Sequence, residues 1–245
     1  MEIHNLHNWP KNSEDAIKIQ LLLKDRIIIE NGFDKLEYLT AVDTAYDVTS
    51  SHIFAAAVTL RLSDFSGVER AVASIKADFP YVPALLGFRE GPAILRAIAQ
   101  LTIRPDIIMF AGHGIAHPRS FGLASHMGLL TDTPSIGCAR RHLCGDYRPP
   151  APEKGSCSSL FVANIESGFV YRTKDKVKPM FISPGHKCSI RSSLEITRLC
   201  LTEYRMPEPL RQAHLSAAKY RHAFEKRKTP ETARAYIFSE NTVDD

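Results

Sequence analysis

Ile107-Ile108-Met109-Phe110 is the stretch on which the fold turns, because four apolar residues in succession read as a strand covered on both faces. A strand of that kind lies in the middle of a sheet and implies parallel neighbours. Working backward, residues 83–101 carry a helical apolar pattern. Residues 36–46, 52–62 and 67–79 are β-rich and separated by short turns, so three consecutive strands form an antiparallel meander. Before them, Ile17, Ile19, Leu21, Leu22, Leu23, Ile27, Ile28 and Ile29 predict a packing helix over residues 13–31, started by Ser13 and stopped near Gly32. Working forward, the pattern predicts a helix at 122–130, a strand at 134–139, a two-stranded segment around 160–171, a strand at 179–183 and a helix at 192–204. Strands first and alternation afterwards predict an α/β fold, a mixed sheet with helices on its faces.

The rest of the chain is punctuation. Residues 148–159 are rich in Pro and Ser and read as an exposed loop. Met206-Pro207-Glu208-Pro209 reads as a stiff connector before a last helix, and the tail after Thr229 is polar enough to fray. With 245 residues and no internal repeat, a single domain over 1–245 is expected. The 44% apolar content and scattered charge exclude a disordered or fibrous chain. No apolar run reaches the roughly 20 residues a bilayer requires, and residues 1–10 lack a signal-peptide layout, so no membrane role and a cytoplasmic location are expected. The five cysteines form no CxxC pair and are read as reduced, mostly buried thiols. The net charge of +4 is compatible with a polyanionic partner without requiring one. Lys219, Arg221, Lys226, Arg227 and Lys228 read either as a phosphate-contacting cluster or as a solvated helix face.

Two acids stand out. Asp43 ends the apolar pair Ala41-Val42 in the first strand, an enclosed position where an ionised carboxylate needs a cation, a metal or a proton. It could equally cap the turn at Thr44. Glu90 shares a four-residue spacing with Leu86 and Ile94, which puts the acid on the buried face of its helix. Arg89 beside it points about 100° away and cannot easily serve it.

Taken together, several blocks carry a resemblance: Val42-Asp43; Pro80-Tyr81-Val82-Pro83 with Phe88-Arg89-Glu90; Gly112-His113-Gly114-Ile115-Ala116-His117-Pro118-Arg119; Gly122-Leu123-Ala124-Ser125-His126. It continues through Pro134-Ser135-Ile136-Gly137-Cys138-Ala139, Ile182-Ser183-Pro184-Gly185-His186 and Met206-Pro207-Glu208-Pro209-Leu210-Arg211. In order and spacing they resemble the endonuclease V family from about residue 37 to about residue 216.

The resemblance implies a ribonuclease H-like mixed sheet with helices on both faces, and hydrolysis of a phosphodiester 3′ to inosine with Mg²⁺, Mn²⁺ being possible. The partner would be DNA or single-stranded RNA containing inosine, with a monomer favoured. Asp43 and Glu90 would be metal ligands, His214 would assist near the phosphate, and Arg140 stands where the family commonly has Lys. Pro80, Tyr81, Val82 and Pro83 would form a wedge that replaces the everted base. Leu86, Gly112, Gly114, His117 and Gly122 would line the base pocket, with His117 ordering it; Ala84 stands where a Gly is usual. The family's remaining metal-binding Asp falls at Ala111, whose methyl group cannot coordinate a metal. Asp106 lies five residues earlier, too far along a strand at roughly 3.3 Å per residue to replace it. The alternative to an active nuclease is therefore an inosine-binding protein that does not cleave.

Overall fold

The computed structural model describes residues 1–227. One nine-stranded sheet organises the chain. Its first three strands are β1 (Tyr38–Asp47), β2 (His52–Arg61) and β3 (Gly67–Lys76), the expected antiparallel meander. After α2 (Leu86–Ile98; α1 is Ser13–Leu23), the chain enters β4 (Ile107–Phe110), which lies parallel to β1 on one side and to β5 (Ser135–Ala139) on the other. Between β4 and β5 runs α3 (Leu123–Thr131). The sheet is completed by β6 (Asp146–Tyr147), β7 (Cys157–Val162), β8 (Ile165–Tyr171) and β9 (Met180–His186), in the order β3-β2-β1-β4-β5-β9-β8-β7-β6. Two helices, α4 (Ile190–Leu199) and α5 (Glu208–Arg227), follow.

The period-two alternation of the strands divides the core into two layers. Val42, Ile53, Ala55, Ile108 and Phe110 face α2 and α3, whereas Leu39, Ala41, Val58, Ile107 and Met109 face α4 and α5. Helices thus cover both faces of a mixed sheet, the ribonuclease H-like arrangement. All four residues of β4 are fully buried, as a strand between two helical layers must be. Among the described residues no helix is long and apolar enough to cross a membrane. All five cysteines are free thiols, and Cys138, Cys188 and Cys200 are buried.

Several boundaries differ from expectation, each for a local reason. The helix expected over 13–31 ends at Leu23 and is followed by a 3₁₀ turn at Lys24–Arg26. The β-branched run Ile27-Ile28-Ile29 is a poor helix former, and the chain there pairs with the segment after β9 instead. The Lys187 amide donates to the Ile28 carbonyl at 2.7 Å and the Gly32 amide to the Lys187 carbonyl at 3.0 Å. The helix expected from residue 83 begins at Leu86, because residues 80–84 form a turn. The expected loop 148–159 yields its end to β7, and α4 stops at Leu199 rather than near residue 204. Glu208 and Pro209, read as part of a connector, open α5, where a first-turn proline loses no hydrogen bond. The tail after Thr229, and Lys228 of the basic cluster, lie outside the described residues. Arg221 of that cluster is paired with Glu225 at 3.4 Å along the helix.

Candidate active-site cleft

The parallel pairing of β1 with β4 brings Asp43, in the middle of β1, beside Ala111 at the C-terminal end of β4. The last registered pair is Val42 with Phe110, and the Ala111 amide donates to the Val42 carbonyl at 3.0 Å. Asp43 keeps only 7% of its side chain exposed, and both of its oxygens are engaged. Oδ1 accepts from the Thr44 amide at 2.8 Å, and Oδ2 accepts from Nδ1–H of His214 at 2.8 Å. Asp43 therefore caps the next residue, as one reading expects, and also meets an imidazole. His214 comes from α5, with 41% of its side chain exposed. Asp106, by contrast, accepts from the Glu37 and Tyr38 amides at 2.7 and 2.8 Å, at the start of β1.

Glu90 projects from α2 toward the same part of the sheet. It is enclosed by protein at the bottom of a cleft and keeps a limited opening into it. Burial pushes its carboxyl up to about 7; the nearby Asp43 charge adds to this, while a hydrogen bond from Thr44 and the charge of Arg89 oppose it. Arg89 itself is directed elsewhere, donating to the Phe79 carbonyl at 2.6 Å and lying 4.6 Å from the Tyr46 ring centre.

The cleft has a volume of about 720 Å³. One wall is the turn Pro80-Tyr81-Val82-Pro83, of which all but Pro80 line it. Tyr81 is 70% exposed at the tip, whereas Val82 packs into the cluster of Phe79, Leu85 and Phe88. Ala84, where the turn joins α2, has φ of 65°. That left-handed conformation costs an L-residue with a side chain ~1–2 kcal/mol. Ala84→Gly is therefore expected to stabilise the protein by ~0.5–1 kcal/mol, net of the extra freedom glycine gains when unfolded. Thermal unfolding should record this as a rise of about 1–4 °C, and an unchanged or lower midpoint would contradict the strain.

The opposite wall is the loop after β4. Gly112, His117 and Gly122 line the cleft with Leu86, but Gly114 lies behind it. A methyl group at Gly114 would strike the Pro184 carbonyl, and one at Gly122 the carbonyls of His113 and Gly114. These two glycines let backbone pack on backbone, a requirement distinct from close approach to a ligand. His117 is buried and its imidazole is pushed down to about 4, chiefly by loss of solvent, so it is neutral. Its Nε2–H donates to the Ala84 carbonyl at 2.8 Å, and its Nδ1 accepts from the Arg119 amide at 3.2 Å.

Sequence reasoning missed much of the rim. Arg140 is joined there by Arg141, Lys178 and Arg205, a basic edge suited to phosphate. Arg205 ties that edge together through the carbonyls of Lys178 at 2.7 Å and of Arg140 and Pro179 at 3.0 Å. No local pattern marks it. Thr44, through its bond to Glu90, was also missed. The structure thus gathers Asp43, Glu90, Ala111, Arg140, three wedge residues and four of the five pocket residues at one cleft, with His214 attached through Asp43.

Among the described residues no three acidic, His or Cys groups come together as a metal cluster. Asp43 and Glu90 are nevertheless hard oxygen donors; burial is the main cause of the raised Glu90 carboxyl, and the like charge of Asp43 adds to it. Mg²⁺ is commonly held by one or two carboxylates with substrate phosphate and water completing its shell, so the residues present fit a cation that substrate helps to bind.

Comparison with known proteins agrees with this assembly. Residues 22–215 match the model of the family described as Endonuclease V. The Endonuclease V of Dictyoglomus thermophilum is 42% identical over 206 residues, 84% of this chain and 90% of that protein. The crystal structure of the Endonuclease V from Streptomyces avermitilis superposes with a TM-score of 0.83 at 35% identity, covering 92% of this chain and 100% of that one. Ciona intestinalis Endonuclease V, solved in complex with a 23mer DNA containing an inosine followed by a ribo-adenosine, shares the fold with a TM-score of 0.76 at 24% identity, over 86% of this chain and 97% of that one.

Proposed function

The chain belongs to the endonuclease V family, and on that premise we propose that it recognises inosine in DNA or single-stranded RNA and hydrolyses a phosphodiester on its 3′ side. The observation that carries the reading is that one cleft joins an exposed aromatic turn, a slot walled by backbone and a pair of acids. Nucleic acid bound by the Ciona relative fits the same use.

Eversion of the base leaves a gap in the stack, which Tyr81 fills; stacking on an aromatic ring is worth ~1–3 kcal/mol per base. The rigid prolines on either side keep the ring from folding away. The everted base enters between Leu86 and the Gly112 and Gly122 wall. Leu85, the residue before α2, makes no capping side-chain bond, and while the Phe88 amide donates to the Leu85 carbonyl at 3.1 Å, the Leu86 and Gly87 amides can donate to a keto oxygen at position 6. Adenine offers an amino donor at that place and is disfavoured. Arg140 and its basic neighbours then hold the strand by its phosphates.

Asp43 and Glu90 would hold Mg²⁺, or Mn²⁺ in its place, and the bound cation would supply charge neutralisation at the phosphate and an activated water. His214 fixes the orientation of Asp43 and has enough exposure to hold or deliver a proton beside the leaving oxygen. Ala111 would leave the cation one carboxylate short, which would depress turnover. The same residue favours a second reading, an inosine-binding protein that does not cut.

Binding is tested without metal. In a chelating buffer, a mobility-shift assay should show tighter retention of an inosine-bearing oligonucleotide than of its adenine counterpart. Tyr81→Ala should weaken the inosine complex about 10- to 100-fold. Equal binding of the two oligonucleotides by the wild-type protein would remove the proposed recognition. Cutting of the inosine strand once Mg²⁺ is added separates the nuclease from the binder.

A further inference from the structure

The cleft-facing side of α1 buries an amide where an aliphatic side chain would be the simpler choice. Gln20 is 3% exposed and shares its helix with the buried Ala16 and Leu23. Burying an amide is unfavourable unless its polar atoms find partners, and here each does. Nε2 donates to the Ala84 carbonyl at 3.0 Å and to the Phe121 carbonyl at 2.9 Å, while Oε1 accepts from Nε of Arg119 at 2.5 Å. Arg119 also donates through Nη2 to the Ala84 carbonyl at 3.2 Å, where Nε2–H of His117 arrives at 2.8 Å. Three donors therefore converge on one carbonyl oxygen with two lone pairs, which fixes the peptide plane between the aromatic turn and α2.

These partners are not arbitrary parts of the backbone. Ala84 is the strained joint of one wall of the cleft, and Phe121 precedes Gly122 on the other. Gln20 lines the cleft between them and bridges the two carbonyls with a single planar group. Its NH₂ ties the two walls together, and Arg119, which can only donate, fixes which way the amide faces. A helix that only packed against the domain would have no use for that bridge.

We infer that Gln20, held by Arg119, is a positioning residue for base selectivity: it sets the width of the slot that admits a planar 6-keto purine. The inference rests on the inosine-recognition reading above and deepens it. Gln20 touches no reacting atom, so its effect falls on discrimination between bases and not on general affinity for the strand.

The test is equilibrium binding in chelating buffer, with inosine- and adenine-bearing oligonucleotides of otherwise identical sequence. Gln20→Met keeps the length of the side chain but removes every hydrogen bond. It should reduce the inosine-to-adenine affinity ratio about 5- to 10-fold while the adenine affinity changes less than about twofold. Gln20→Glu keeps an acceptor for Arg119 but loses both donors to the walls. It should lower the ratio as well, and it carries the test should the Met variant melt below the assay temperature. A variant that is folded and keeps the wild-type ratio overturns the inference, as does an equal loss on both oligonucleotides, which is what damage to the fold alone would produce. A wild-type protein with no preference for inosine overturns the recognition reading instead, and is read before either variant is made.

Discussion

Ala111→Asp is expected to raise Mg²⁺-dependent cutting of an inosine-bearing oligonucleotide by about 10²–10³-fold. The backbone is already placed for it, because residue 111 follows directly on the β1–β4 pairing and bonds to the Val42 carbonyl beside Asp43. A carboxylate there would join two others with no cation between them. The metal-free variant should therefore melt below the wild-type protein and recover when Mg²⁺ is added, since a ligand that binds only the folded state stabilises it. Single-turnover cleavage with and without Mg²⁺, together with melting in both buffers, reads the two effects. Unchanged cutting combined with unchanged response to Mg²⁺ would show that position 111 is not part of a cation site.

Glu90→Gln should move activity and stability in opposite directions. Loss of one of the two proposed acidic ligands is expected to lower Mg²⁺-dependent cleavage by about 10²-fold or more. In metal-free buffer the same change removes a carboxyl that folding drives from its ordinary 4.5 up to about 7. Because the folded-state value is the raised one, the wild-type protein is at no disadvantage below about 4.5; it loses stability progressively as the pH climbs from 4.5 to about 7, where the unfolded carboxyl ionises while the enclosed one stays protonated, and the loss levels off above that. The glutamine variant should thus equal the wild type near pH 4 and exceed it by ~1–2 kcal/mol above pH 7, a value reduced from full linkage because the cleft admits some solvent. Denaturant titrations across that range check it. A constant difference at every pH would place the effect in packing and not in ionisation.

What could be read from the sequence follows the range of the forces involved. The run Ile107–Phe110 and the meander before it are local patterns, so the central sheet and its two helical layers were legible. So was the burial of Asp43 and of Glu90, because strand and helix periodicities report which face a side chain takes. Ile27–Ile29 misled, since an apolar run looks the same whether it continues a helix or lies extended against Lys187. The turn at 80–84 was legible as prolines but not as a turn that delays α2. Gln20 was invisible among Ile17, Ile19 and Leu21, because its partners Ala84 and Arg119 lie 64 and 99 residues away. Arg205 was missed for the same reason: its bond to the Arg140 carbonyl spans 65 residues. The roles of the glycines divided likewise, Gly112 and Gly122 falling on the cleft and Gly114 on the backbone behind it.

The contact between Asp43 and His214 joins positions 171 residues apart, the strand that begins the sheet and the helix that closes it. Until α5 settles over β1 and β2, where Phe54 meets Tyr220 and Phe224, the apolar side of those strands has no cover. A chain emerging from the ribosome in order would therefore hold its acids for most of its synthesis without the imidazole that orients one of them. Completion of the candidate site and completion of the core layer under α5 become the same late event, whereas the layer under α2 and α3 draws on nothing from α5.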